Sequence, residues 1–216
     1  MVHNDHRVSL INVCDYCGKD IGLSGVLYLL RHGESAWNQE DRFTGWADVP
    51  LTPQGEEEMR EISAQLRGIR IDHVYTSSMQ RTLRSADIIL ESLGLAGKVP
   101  VTASSELNER FYGELEGQNK KEAATRYGVE QVRIWRRSYE VAPPGGESLR
   151  DAAARILPYT LDEILPRVHA GNNVLLCTHG NTLRVIRMYL DGLTPEAIMK
   201  LEIANGELIR YPLQSP

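Results

Sequence analysis

A run of five apolar residues, 26–30, leads directly into the polar sequence Arg31-His32-Gly33. A short apolar run that ends at a glycine-containing turn is typical of a buried strand in a parallel sheet. In open α/β sheets, ligands bind just beyond the carboxyl ends of such strands. The sequence therefore predicts that His32 lies at the edge of a sheet where a substrate would bind.

Two further predicted strands end in the same kind of polar segment. The apolar residues 174–177 are followed closely by His179, and a third predicted strand, 71–75, is followed by Arg81. The carboxyl ends of parallel strands lie at one rim of a sheet. We therefore expect His32, His179 and Arg81 to meet in a single active site.

His32 and His179 differ from the other histidines of the chain in their context. Each follows a predicted strand, and each precedes a glycine, which allows a ligand to approach the backbone closely. The remaining four histidines lack this context and are expected to be structural or surface residues. They are His3, His6, His73 and His169.

Histidines and arginines without a serine or cysteine nucleophile motif point to chemistry on phosphate. A neutral imidazole can attack phosphorus and form a covalent phosphohistidine, which divides one difficult transfer into two easier ones. Arginine stays cationic and offers a fork of donors that matches phosphate oxygens. The chain has no Walker-type glycine-rich loop, which argues against a nucleoside-triphosphate kinase.

Helix-start signals separate the predicted strands. Thr52 followed by Pro53 is typical of an N-cap and a first helical turn, and it predicts a helix over 54–66 that Gly68 ends. Further helices are predicted over 152–165, after a capping box of Ser148 and Asp151 and with a bend or interruption at Pro158, over 183–190, and after Thr194-Pro195. Strands that alternate with helices predict an α/β fold, a three-layer sandwich with a mainly parallel sheet flanked by helices.

The composition is that of an ordinary globular enzyme. With 216 residues, of which 42% are hydrophobic and 25% charged, the chain can bury one large core. We therefore expect one catalytic domain over 26–216, in which the segment 106–144 forms a helical cap on the sheet. No apolar stretch approaches membrane-spanning length, and the net charge of −5 argues against a general nucleic-acid binder.

Taken together, these residues resemble the histidine phosphatase superfamily, whose hallmark is an Arg-His-Gly turn after the first strand. Over about residues 26–210, further motifs are similar in order and spacing to its cofactor-dependent phosphoglycerate mutase branch. These motifs are Phe43-Thr44-Gly45-Trp46, Tyr75-Thr76-Ser77 with Arg81, Leu107-Asn108-Glu109-Arg110-Phe111-Tyr112-Gly113, Gln118-Asn119-Lys120, Tyr127-Gly128 and Trp135-Arg136-Arg137. The resemblance implies a phosphoglycerate mutase-like fold. It also implies interconversion of 3-phosphoglycerate and 2-phosphoglycerate, with 2,3-bisphosphoglycerate as primer and no metal.

The resemblance also implies roles for the central residues. His32 would be the nucleophile that becomes phosphorylated, and Arg31, Arg81 and His179 would surround the transferred phosphoryl group. Glu109 would be the general acid and base, because the negative charge of bound phosphate favours its protonated form near neutral pH. The alternative for Glu109 is an ordinary surface ion pair with Arg110.

Two further sets match substrate-binding positions of the family. Hydrogen bonds to the substrate phosphate and its neighbours are implied for Asn38, Thr44, Gly45, Gly180 and Asn181. The carboxylate and second phosphate of the primer are assigned to Arg110, Tyr112, Lys120, Arg136 and Arg137. Each phosphate monoester carries about −1.5 to −2 charges near pH 7, so such a ligand requires several cations. The alternative for Arg136 and Arg137 is a solvated helix face.

Two departures from longer family members leave part of the account open. Pro143-Pro144 passes almost at once into Gly145-Gly146, where longer members carry an insertion, and the chain ends at Pro216 without a tail rich in lysine and alanine. The oligomeric state therefore stays open between monomer, dimer and tetramer. Two other functions also stay open: a phosphatase of the same superfamily that acts on a small phosphorylated metabolite, and a binding protein with a degenerate pocket.

Residues 1–25 precede the part that resembles the family. They contain Cys14 and Cys17, which could supply half of a zinc site, but a structural zinc needs four ligands and only His3 or His6 could complete the set. The segment also lacks the pattern of a signal peptide. We expect a poorly ordered extension, or translation upstream of a later natural start, on an enzyme of the reducing cytoplasm.

Overall fold

The computed structural model describes residues 25–213, in which five strands form one sheet. The strands are β1 (Val26–Arg31), β2 (His73–Ser77), β3 (Val101–Ser104), β4 (Val174–Thr178) and β5 (Leu208–Pro212). Their spatial order is β3-β2-β4-β1-β5. β5 pairs antiparallel with β1, whereas all other neighbours are parallel. The predicted mainly parallel sheet is therefore confirmed.

The predicted three layers are also confirmed, because successive residues of the central strands pack against opposite helical layers. Leu27 and Leu29 of β1 lie in one apolar cluster, and Tyr28 and Leu30 lie in another. The first layer contains α6 (Leu149–Tyr159), α7 (Leu165–His169) and α8 (Gly180–Leu190). The second layer contains α2 (Pro53–Ser63) and α3 (Gln80–Ser92). The short helices α1 (Ala36–Gln39) and α9 (Pro195–Ile198) lie in the connections.

Helices α4 (Lys120–Tyr127) and α5 (Val129–Arg137) lie in the segment predicted as a helical cap. They close over a small apolar cluster of their own, which contains Phe43, Leu115 and Val132. Because this cluster is separate from the two clusters on the sheet, the cap is a distinct layer of the domain.

The helix-start signals have the predicted local structure. Thr52 caps α2 by accepting a hydrogen bond from the amide of Gly55, and Ser148 and Asp151 form the reciprocal capping box of α6. Pro158 lacks an amide hydrogen, and α6 widens into a π-helical turn at Thr160–Ile164 directly after it. The predicted interruption at Pro158 is therefore confirmed, although α6 itself already begins at Leu149.

The predicted bounds of the second strand were wrong. β2 covers His73–Ser77 rather than 71–75. The strand begins later because the carboxylate of Asp72 accepts a hydrogen bond, at 2.8 Å, from the amide of Asn173 in the loop before β4. The polar end of β2 continues in the ladder because Ser77 is fully buried and hydrogen-bonded. α8 likewise begins at Gly180, three residues before the predicted start.

The predictions about zinc and about membrane spans can be compared only with the described residues. The zinc reading of Cys14 and Cys17 with His3 or His6 lies outside residues 25–213. Within that range no three histidine, cysteine, aspartate or glutamate side chains come together as a metal ion would require. Across the same range, every helix falls short of the length and apolar character needed to cross a membrane.

Candidate active site

The ends of β1, β4 and β2 bring two histidines close together. The amide of His32 donates to the carbonyl of Thr178 at 3.0 Å, which joins the ends of β1 and β4. Nε2 of His179 lies 2.8 Å from Oγ of Ser77 at the end of β2. The ring centroids of His32 and His179 are 5.1 Å apart, and the rings are close to perpendicular. The predicted convergence of the three strand ends is therefore confirmed.

The surroundings of His32 favour a neutral imidazole with one free lone pair. Nδ1 lies 2.7 Å from the carbonyl oxygen of Gly33, so Nδ1 carries the proton and donates it. Nε2 is then left with the lone pair that a nucleophile needs. Burial, together with the charges of Arg81 and Arg31, holds the pKa of His32 well below its ordinary value. The ring is therefore uncharged near neutral pH, with its single proton on Nδ1.

Two arginines flank His32, of which Arg81 is fully buried and Arg31 is partly buried. Arg81, at the start of α3, is 1% exposed and donates to the carbonyls of Ala47 at 2.9 Å and Gly45 at 2.8 Å. Arg31, at the end of β1, donates to the carbonyl of Ile203 at 2.6 Å. Burial lowers the pKa of Arg31 and lowers that of Arg81 to about 10. Desolvated cations of this kind are stabilised by an anion.

Glu109 lies beside this pair of arginines at the wall of the cleft. It is only 9% exposed, and its carboxylate accepts from the amide of Arg110 at 2.7 Å and from that of Asn181 at 3.4 Å. Arg110 is fully buried, donates to the carbonyl of Trp135 at 2.9 Å and stacks on the ring of Tyr112 at 4.5 Å. The alternative of an exposed ion pair between Glu109 and Arg110 is therefore wrong.

The cleft that these residues line holds about 750 Å³ of space that opens to solvent. Thirteen of the fifteen predicted site residues line it, namely Arg31, His32, Asn38, Thr44, Gly45, Arg81, Glu109, Tyr112, Lys120, Arg136, Arg137, Gly180 and Asn181. The other two, Arg110 and His179, contact lining residues from behind. Sequence reasoning missed six lining residues, which are Arg42, Phe43, Arg184, Leu201, Glu202 and Ile203.

The outer half of the cleft is basic. Lys120 pairs with the carboxylate of Asp41 at 2.8 Å, and Arg137 pairs with Glu202 across the mouth. Arg136 and Arg137 are both partly buried and line the cleft, so the alternative of a solvated helix face is wrong for them. Among residues 25–213, seven cationic side chains and two carboxylates line the cleft, which favours a polyanionic ligand in a chain of net charge −5.

Among residues 25–213, several buried donors around the cleft have no hydrogen-bond partner. These are Nε of Arg31, Arg81 and Arg184, Nε and Nη1 of Arg110, and Nδ1 of His179. Buried polar atoms are normally paired, and an unpaired donor costs free energy. Their clustering at one cleft fits a ligand that carries several oxygen acceptors. A bisphosphorylated carboxylate is such a ligand.

Comparison with known proteins places this geometry in context. The sequence profile of the histidine phosphatase superfamily (branch 1) matches residues 27–215. The chain is 50% identical over 190 residues to the 2,3-bisphosphoglycerate-dependent phosphoglycerate mutase of Azorhizobium caulinodans, which covers 87% of this chain and 92% of that protein. It is 51% identical over 192 residues to the protein of the same name from a Methylobacterium species, and this match covers 88% of this chain and 92% of that protein. The solved structure of YhfR from Bacillus stearothermophilus is 27% identical, with a TM-score of 0.76 over 86% of this chain and 90% of that one.

Proposed function

This chain belongs to the histidine phosphatase superfamily (branch 1), and from that membership we propose that it interconverts 3-phosphoglycerate and 2-phosphoglycerate through a phosphohistidine at His32. Relatives that share about half of its sequence over nearly their whole length are named 2,3-bisphosphoglycerate-dependent phosphoglycerate mutases. The observation that carries the proposal is the geometry around His32: a buried neutral imidazole with a free Nε2, flanked by the buried Arg81 and the partly buried Arg31.

Bound 2,3-bisphosphoglycerate supplies the phosphoryl group that charges the enzyme. In the first transfer, a bond forms between phosphorus and Nε2 of His32 while the bond from phosphorus to a glycerate oxygen breaks. In the return transfer, the bond between phosphorus and Nε2 breaks while a bond from phosphorus to the glycerate hydroxyl oxygen forms. The glycerate oxygen takes a proton from Glu109, and the return transfer gives the proton back. Arg31 and Arg81 neutralise the charge on the phosphoryl oxygens, which is the main catalytic requirement of phosphoryl transfer.

His179 supports the same step from the far side of His32. Burial, followed by the charge of Arg81 and the His32 ring, holds the pKa of His179 well below its ordinary value. The bond between Nε2 and Ser77 leaves Nδ1 as a buried polar atom without a partner among residues 25–213. We infer that Nε2 accepts from the Ser77 hydroxyl, and that Nδ1 carries the ring proton and donates it in a hydrogen bond to a phosphoryl oxygen during the transfer.

The basic outer half of the cleft favours a substrate with a second anionic group. Arg31 and Arg81 suffice to neutralise the charge of a simple phosphate ester, so such a substrate would leave the additional cations of the cap segment without an anionic partner. Lys120, Arg136 and Arg137 supply such cations, and they suit the carboxylate or second phosphate of a phosphoglycerate. With this substrate pair the reaction belongs to glycolysis and gluconeogenesis, and we expect it in the cytoplasm.

The proposal is tested by turnover of 3-phosphoglycerate with and without added 2,3-bisphosphoglycerate, in the presence of a metal chelator. Formation of 2-phosphoglycerate and release of inorganic phosphate are followed together. We expect isomerisation that the primer stimulates and the chelator leaves unchanged. Release of phosphate without isomerisation would instead assign the chain to the phosphatases of the superfamily.

A further inference from the structure

Glu109 lies in a segment without regular secondary structure, between the short 3₁₀ turns at Ser105–Leu107 and Gly113–Leu115. No helix or strand ladder therefore fixes its backbone. A general acid must nevertheless be held within a fraction of an ångström of its productive position, at hydrogen-bond distance from its proton acceptor. The contacts that hold the segment must come from elsewhere in the fold.

Arg155 of α6 supplies these contacts from outside the cleft. Its Nη1 donates to the carbonyls of Glu106 at 2.8 Å and Asn108 at 3.0 Å, and its Nη2 donates to the carbonyl of Glu109 at 2.9 Å. Nε and Nη2 donate to the carboxylate of Glu147 at 3.0 and 2.9 Å. All five N–H groups of the guanidinium are thus used, and the side chain is only 16% exposed.

Trp46 also hydrogen-bonds the carbonyl oxygen of Glu109. Its indole Nε1 donates to the carbonyl oxygen of Glu109 at 2.6 Å, so this oxygen accepts two hydrogen bonds. The guanidinium of Arg155 also lies 5.5 Å from the centre of the Trp46 ring. A carbonyl that accepts from a cation and an indole has little freedom to rotate.

Glu147 hydrogen-bonds the backbone on the C-terminal side of Glu109, at Phe111. Its amide donates to the carbonyl of Phe111, and its carboxylate accepts from the amide of Phe111, both at 2.9 Å. Glu147 and Arg155 therefore bind the backbone at three places around the general acid, namely Asn108, Glu109 and Phe111. The carboxyl of Glu109, in turn, accepts hydrogen bonds from backbone amides at the cleft wall.

We propose that Arg155, oriented by Glu147, is a positioning residue that sets the carboxyl of Glu109 against the reacting oxygen. The inference rests on the proposed function, in which Glu109 gives a proton to the departing glycerate oxygen. Arg155 does not line the cleft but hydrogen-bonds the backbone of Glu109, so its geometric effect on the reaction passes through Glu109. Its charge also acts on His179, and a loss of that charge would slow transfer from every donor. A purely structural role would instead affect every phosphoryl transfer at His32 equally.

The test compares two phosphoryl donors with different leaving groups. The glycerate oxygen of 2,3-bisphosphoglycerate needs a proton to leave, whereas dinitrophenolate leaves 2,4-dinitrophenyl phosphate without one. Arg155→Ala should lower the mutase kcat by about 10- to 100-fold with little change in KM, because misplacement by about 1 Å has effects of this size. Phosphorylation of His32 by the aryl phosphate should stay within about threefold of wild type. Glu109→Gln should give the same pattern.

A double-mutant cycle gives an independent readout. If Arg155 acts through Glu109, then Arg155→Ala in the Glu109→Gln background should lose most of its effect on kcat. The matched control is Arg150→Ala on the same helix, because Arg150 is 61% exposed and pairs at the surface with Glu140. It should leave both transfers unchanged. Thermal unfolding shows whether each variant is folded.

The outcomes separate this inference from the proposed function. Equal slowing with both donors, or a full effect of Arg155→Ala in the Glu109→Gln background, would overturn the positioning role. If Arg155→Ala does not fold, Arg155→Lys carries the same comparison, because an ammonium keeps the charge but cannot reach five acceptors. Wild-type protein without isomerisation would refute the proposed function, and hydrolysis of alkyl and aryl phosphates would then still decide the role of Arg155.

Discussion

Replacement of Arg81 by methionine should abolish most activity while changing the stability of the fold only slightly. Burial lowers the pKa of Arg81 from 12.5 to about 10. Each pH unit corresponds to about 1.4 kcal/mol, so the buried charge costs the folded state roughly 3 kcal/mol. Methionine removes this cost and, although shorter, replaces the apolar stem of the arginine with an unbranched side chain.

The opposing contribution is the loss of two hydrogen bonds. Arg81 donates to the carbonyls of Gly45 and Ala47, and hydrogen bonds from charged donors contribute about 1.5–3 kcal/mol each. Gly45 lines the open cleft, where water can replace a lost donor, so the low end of this range applies. The two effects nearly cancel. We expect the free energy of unfolding to change by less than about 2 kcal/mol.

Activity should respond very differently. Loss of one preorganised donor to a developing charge typically lowers kcat by about 10²- to 10³-fold, and Arg81 is a full cation beside His32. Urea unfolding measures the stability, and turnover of 3-phosphoglycerate measures kcat. Arg60→Met is a matched surface control, since Arg60 only pairs with exposed or partly exposed glutamates of α2. A loss of stability beyond about 4 kcal/mol, or retention of more than about a tenth of wild-type kcat, would refute the reasoning.

The packing and the titration of the site lead to three further predictions. Gly33→Ala should lower the free energy of unfolding by about 2 kcal/mol or more in urea titrations, because a Cβ there would lie 2.2 Å from the carbonyl oxygen of Gly55; wild-type stability would contradict so close an approach of the two backbones. Burial lowers the pKa of His32 and His179 in the folded state, whereas the unfolded chain takes up these protons near pH 6.5. Stability should therefore be complete above that pH and fall below it by up to about 1.4 kcal/mol per pH unit for each histidine, and a flat profile from about pH 7.5 to 5.5 would contradict this. Deletion of residues 1–24 should leave kcat and KM nearly unchanged, since the expected catalytic and binding residues all lie within the described range 25–213; a large loss would mean that the deleted segment contacts the site.

The centre of the site could be predicted from sequence because its signals are local. The apolar run before His32 marks a buried strand, and the following polar turn marks its carboxyl end. The same reasoning applied to His179 and β4. Once the strands were known to be parallel, their convergence followed from the geometry of an α/β sheet.

The sheet edges could not be predicted in the same way. β3 has only four residues and alternates between exposed and partly buried positions, and β5 is nowhere fully buried. Neither strand therefore has a continuous apolar pattern. The polar end of β2 was missed for a related reason, since Ser77 is buried through hydrogen bonds rather than through apolar packing.

The missed residues of the cleft depend on contacts between distant parts of the chain. Arg184 lies within the helical pattern of α8, and only the fold shows that it bonds Asn181 at 2.8 Å inside the cleft. Ile203 reaches the site through its carbonyl, which accepts from Arg31 across 172 positions of sequence. Arg155 is similar, because the carbonyls that it binds carry no sequence signal of their own.

If the phosphoryl group passes through His32, a phosphoenzyme should form and can be trapped. The protein is incubated with 2,3-bisphosphoglycerate, and the modified residue is identified by mass spectrometry under alkaline conditions that preserve phosphohistidine. His32→Ala is the control and should give neither phosphoenzyme nor turnover. The account predicts acid-labile phosphate on His32. Isomerisation without it, or phosphate on another residue that survives His32→Ala, would contradict the account.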